Sequence, residues 1–171
     1  MSPDPVRFED LLRCLEATGL PFSVADAPQH LLGILPTRLG TQMVVASLDL
    51  ERQVVVLRAP RLVLVPPERR AEVARAALYA NFQLLLGGFA LDLQDGELLF
   101  QLTVPCLEVG LAPAQIGHCL RAIAWSLSEY LPALLRLSWS PATVEDVLDI
   151  PDPSPLEALL QAVADEDGSA A

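Results

Sequence analysis

The sequence predicts an α+β fold: an antiparallel sheet of about five strands with flanking helices in α-β-β-β-α-β-β-α order, plus a C-terminal helix. Two observations carry this. Strand-like runs come in groups joined by short turns, and single helical stretches separate the groups, so the βαβ alternation of a parallel sheet is missing. With 171 residues, the chain suits one domain with a short appendage.

The first helix is expected from Pro5 to Thr18, with Asp4 as cap, Pro5 in the first turn and Gly19 as stop. Short strands follow at Pro21–Ala25 and His30–Leu35, and clearer ones at Thr41–Leu48 and Gln53–Ala59, joined by a turn at Asp49–Arg52. Leu62–Val65 either prolongs the sheet or runs over its edge before Pro66 and Pro67 interrupt it. A second helix is expected from Pro67 to about Leu86. Its apolar residues surround most of the cylinder, as in a helix covered on two sides. Gly87 and Gly88 are read as its end. Phe89–Leu93, the turn Gln94-Asp95-Gly96 and Glu97–Val104 read as a hairpin, because an Asp-Gly pair favours that turn. The third helix runs from Pro113 to Tyr130, and its pattern weakens after Pro132. A capping box at Ser154-Pro155-Leu156-Glu157 opens a last amphipathic helix, and an acidic tail from Asp165 to Ala171 is expected to be disordered.

Composition narrows the function. Apolar residues make up 52% of the chain, and the mean hydropathy is +0.40, a surplus that a protein contact can absorb. A net charge of −11, with 22 acidic residues against 11 basic ones, repels phosphate backbones, so no nucleic-acid binding is expected. Every basic residue is Arg. Without Lys there is no Schiff base, no pyridoxal phosphate anchor and no complete P-loop. Cys14, Cys106 and Cys119 form an odd set without CxxC spacing, which fits a reducing compartment. Polar residues interrupt the apolar runs and Met1–Val6 lacks a signal-peptide pattern, so no membrane insertion and a cytoplasmic location are expected.

Catalytic chemistry is thinly represented. His118 and Cys119 are adjacent, and neighbours on a helix point about 100° apart, a poor start for a shared metal ion. Ser126 and Ser128 lack the glycines of a nucleophile elbow. No metal, cofactor or catalytic residue is expected, and the chain is read as not an enzyme. The alternatives are a small thiol-dependent enzyme using Cys106 or Cys119, or a structural subunit of a larger assembly.

The stretch from Pro66 to Leu137 contains Val65-Pro66-Pro67-Glu68-Arg69-Arg70 ahead of a helix, then Leu78-Tyr79-Ala80-Asn81, Gly87-Gly88-Phe89-Ala90-Leu91 and Asp95-Gly96-Glu97-Leu98. This layout resembles the YbjN-like family, whose fold is similar to that of type III secretion chaperones. The resemblance covers roughly Val6 to Leu137. It divides the chain into a domain at 1–137 and an extension at 138–171, made of one amphipathic helix and the acidic tail. It implies a non-catalytic, homodimeric, chaperone-like or regulatory adaptor that holds another protein without ATP or metal. It supplies no catalytic residues.

The expected protein interface comprises Val73, Ala77 and Leu84 of the second helix, Phe89, Leu98, Phe100 and Leu102 of the hairpin, and Leu156, Leu159 and Leu160 of the last helix. Taken singly, Val73, Ala77, Leu84, Phe100 and Leu102 suit the core better than an interface. The last helix has three readings: it docks on its own domain, on a partner subunit, or in a client's groove. Asn81 is read as bonding a nearby loop backbone rather than a client.

Overall fold

The computed structural model describes residues 5–25, 29–106 and 110–148. Its elements are α1 (Phe8–Glu16), β1 (Phe22–Val24), β2 (His30–Thr37), β3 (Gly40–Asp49), β4 (Val54–Leu64), α2 (Arg70–Gln83), β5 (Gly88–Leu91), β6 (Glu97–Pro105), α3 (Pro113–Trp139) and α4 (Val144–Val147). A short 3-10 turn at Pro67–Arg69 leads into α2. The class is as expected. The sheet has six strands, not about five, in the order β1-β2-β3-β4-β6-β5, with every pair antiparallel. The expected C-terminal helix at Leu156 lies outside the described residues.

Alternation sets the inner face. Leu31, Leu35, Val44, Ala46, Leu48, Val55, Leu57, Phe100 and Leu102 point to one side and are buried. On that side lies α3, whose Ile116, Leu120, Ile123, Leu127, Leu131, Leu134 and Leu137 recur at helical spacing and are also buried. It reaches β2, β4 and β6, while α1 packs on α3, and α2 packs on β5 and α3.

Several boundaries differ from the expectation for local physical reasons. α1 begins at Phe8, because the Val6 N–H donates to Gln53 Oε1 at 2.7 Å and holds the preceding backbone extended. The Arg7 N–H donates to the Asp10 carboxylate at 3.0 Å, and Asp4, the expected cap, lies outside the described residues. Leu62–Leu64 prolongs β4, the first of the two courses expected for it. The register between β4 and β6 shifts between Ala59 and Val63, with Arg61 at φ 49°, so a bulge absorbs Pro60 and Arg61. α3 continues through Pro132 to Trp139, so the expected boundary after residue 137 falls within a helix. Burial of Leu131, Leu134, Leu137 and Ser138 outweighs the missing proline N–H. Arg69 then donates to the carbonyls of Leu137, at 2.7 Å, and Ala142, tying the end of α3 to the start of α2.

Gly87-Gly88 is not the helix cap. α2 ends at Gln83 and Leu84 is already extended. Gly87 has φ +72°, and a Cβ there would sit 2.8 Å from the Gln101 carbonyl; one on Gly88 would sit 3.0 Å from Asn81 Oδ1. These glycines let β5 lie close against β6 and α2. Asn81 completes the junction. Its Nδ2 donates to the Phe89 carbonyl at 2.9 Å and its Oδ1 accepts the Phe89 N–H at 2.7 Å, which is the backbone role expected for it. Phe89 itself packs edge-on against Phe100, with ring centres 5.0 Å apart.

Asn81→Ala removes both bonds and leaves the Phe89 amide and carbonyl without those partners. We expect a loss of about 2–3 kcal/mol in urea unfolding at unchanged m-value.

Candidate protein-interaction surface

The interface expected from the sequence is consumed by the core. Val73, Ala77, Phe89, Leu98, Phe100 and Leu102 are all buried within the chain, and Leu84 is partly buried against the same core. The six buried side chains pack into the core and offer a partner no surface, and Leu84 offers only part of its side chain. Leu156, Leu159 and Leu160 lie outside the described residues.

Among the described residues, two exposed apolar surfaces stand out. The first is the outer face of the sheet. On β2, Leu32 and Ile34 alternate with buried Leu31, Gly33 and Leu35. Register places Leu32 opposite Val45 and Ile34 opposite Met43, and such cross-strand pairs form one continuous patch. Ile34 is 53% exposed and Met43 is 48% exposed. Val45 in turn faces Arg58, which faces Gln101 on β6. The Arg58 guanidinium donates to Gln101 Oε1 from Nε at 3.0 Å and also from Nη2. This fixes a cation beside the apolar patch. Its surroundings are an aliphatic floor with one placed charge, which suits a protein contact.

The second surface is on α2. Val73, Ala76, Ala77 and Ala80 face inward, while Leu78 (70% exposed) and Phe82 (86% exposed), four residues apart, face outward. Leu85, just beyond the helix, is 99% exposed. Among the described residues, the expectation that α2 is covered on two sides is therefore met on its inner side. Beside the stripe, a groove of about 500 Å³ is lined by Tyr79 and Gln83 of α2, by α3 residues including Tyr130, Pro132 and Arg136, and by Val147 and Leu148. α4 closes one side of it. Arg75 pairs with Glu72 at 3.2 Å and Glu145 at 2.8 Å, and the Val144 N–H donates to Glu72 at 3.2 Å. The Arg75 guanidinium and a backbone hydrogen bond hold the Glu145 carboxyl below its ordinary range, the backbone bond having the larger effect.

A sequence signal for the first surface existed. His30–Leu35 and Thr41–Leu48 are apolar at both strand parities, so an apolar inner face leaves apolar residues on the outer one too. For the second, Leu78 and Phe82 stand opposite Ala76 and Ala80 on the helical cylinder.

Cys14, Cys106 and Cys119 are free and buried, and burial raises the pKa of each above the ordinary thiol value. The Cys14 Sγ–H points to the Leu111 carbonyl at 3.5 Å. Among the described residues, no group of three or more His, Cys, Asp or Glu is placed to hold a metal ion, and no helix is long and apolar enough to cross a membrane.

The YbjN family, described as "putative bacterial sensory transduction regulator", matches residues 8–136. The fold is similar to that in the "crystal structure of YbjN, a putative transcription regulator from E. coli", with a TM-score of 0.58 and 15% identity over 75% of this chain and 94% of that one. No curated protein matches the sequence.

Buried and with raised pKa values, the three thiols stay protonated and largely covered at neutral pH. Iodoacetamide should label them roughly tenfold or more slowly than a free thiol, and at the ordinary rate once urea unfolds the chain. Rapid labelling of Cys106 or Cys119 in the folded protein would revive the thiol-enzyme reading.

Proposed function

The chain belongs to the YbjN family, and from that premise we propose that it is a non-catalytic regulatory module that holds a partner protein on the outer face of its sheet. The family description is that of a regulator, not of an enzyme class. One observation carries the reading: the helices cover the inner face, while Leu32, Ile34 and Met43 remain exposed on the outer one. Monomers rarely leave such a patch without a use.

The secretion-chaperone likeness fits the same picture, since an extended client segment needs apolar contact without ATP or metal. The expected homodimer also belongs here. A second copy covers the face when no other partner does, because leaving paired aliphatic side chains in water costs about 25 cal/mol per Å². A net charge of −11 keeps the uncovered protein soluble and argues against nucleic acid as the partner. The cytoplasmic location expected from the sequence completes the proposal.

Ile34→Glu combined with Met43→Glu places two charges on this face while leaving the core intact, so the melting temperature should change little. Affinity capture from the native cytoplasm should enrich a protein with the wild-type chain and lose it with the double variant. Light scattering at tens of micromolar should show a wild-type dimer and a variant monomer. If both chains capture the same proteins and have the same mass, the sheet face is not the contact.

A further inference from the structure

The α2 stripe is a separate surface, and its occupant can be identified from where the described chain ends. Leu148 lines the α2–α3 groove together with Tyr79 and Gln83, so the chain leaves the described structure beside the stripe. Beyond it come seven residues, 149–155, three of them proline, and then Leu156, Leu159, Leu160 and Val163 at helical spacing. Proline-rich chain spans about 3.1 Å per residue, so this linker reaches roughly 22 Å. α2 has 14 residues and is about 21 Å long at 1.5 Å per residue. The whole stripe is within reach.

We propose that the segment Leu156–Val163 docks within its own chain, over Leu78, Phe82 and the adjoining α2–α3 groove. The chemistry of the two sides matches. Leu78, Phe82 and Leu85 offer an aliphatic and aromatic ridge in water, and the segment offers four aliphatic side chains in one stripe. Arg136 in the groove wall suits the acidic residues on and after the segment, Glu157 and Asp165–Asp167, alongside one like charge, Glu129.

Tethering makes a small contact sufficient. A short linker holds the segment at an effective concentration on the order of millimolar, so an intrinsic Kd of about 0.1 mM leaves it docked roughly nine-tenths of the time. This inference is independent of the sheet-face reading, because the two surfaces share no residue.

Hydrogen exchange of the full chain tests it. Amides in 156–163 should exchange about tenfold more slowly than in an unstructured peptide. That protection should vanish in Leu78→Glu/Phe82→Glu, with α3 amides unchanged. Leu156→Glu/Leu160→Glu, which changes no residue of the described elements, should remove it too and speed exchange at Leu84–Leu86. Phe82→Cys combined with Leu159→Cys, oxidised at low micromolar concentration, should give an intrachain disulfide and a monomer band. Absence of protection in the wild type overturns the proposal. So does protection that survives Leu78→Glu/Phe82→Glu, which would place the segment elsewhere. A disulfide-linked dimer band, or protection lost on dilution together with a fall in mass, would make a second copy the occupant and overturn docking within the chain.

Discussion

The apolar stripe of α3, from Ile116 to Leu137, packs across β2, β4 and β6, and it is this contact that obliges the other elements to sit where they do. A twisted antiparallel sheet needs at least one covered face, and a 27-residue helix is long enough to cross several strands. With α3 in place, α1 and α2 pack beside it, and Phe89, Phe100 and Tyr130 join the sheet edge to the helix through edge-on ring contacts. The same demand carries the helix through Pro132, since stopping there would expose Leu134 and Leu137.

Covering one face leaves the other. Strand side chains alternate, so every buried Leu31 or Leu35 has a neighbour such as Leu32 or Ile34 on the open side. Apolar surplus in the composition therefore divides between a core and a surface, and the division follows from helix placement. α2 shows the same logic at helical period: alanines let it approach β5 and α3 closely, and Leu78 and Phe82 are left outside. The acidity of the chain offsets the solubility cost of both patches.

Local signals were readable wherever the governing interaction spans few residues. The hairpin around Asp95-Gly96 needs a left-handed glycine, and Gly96 has φ +86°. Asn81, a polar residue near the end of an apolar helix, pointed to a backbone partner, and Phe89 is eight residues away. The cysteines read as unpaired, and the structure leaves all three free. Boundaries failed where the deciding partner is remote. α1 starts late because of Gln53, 47 residues from Val6. Gly87 looked like a helix stop because its real constraint, the Gln101 carbonyl, is on another strand.

By itself the sequence determined the α+β class with its antiparallel sheet, the family, and an apolar, acidic composition suited to protein contacts. These depend on period, turn chemistry and charge, all of which are local or additive along the chain. Only the tertiary structure decided which apolar residues remain in contact with water. Val73, Phe100 and Leu102 are as apolar as Leu78, Ile34 and Met43, and nothing in the side chains themselves ranks one set above the other. What separates them is the face that α3 covers, a choice made by long-range packing after each strand and helix has presented its two sides.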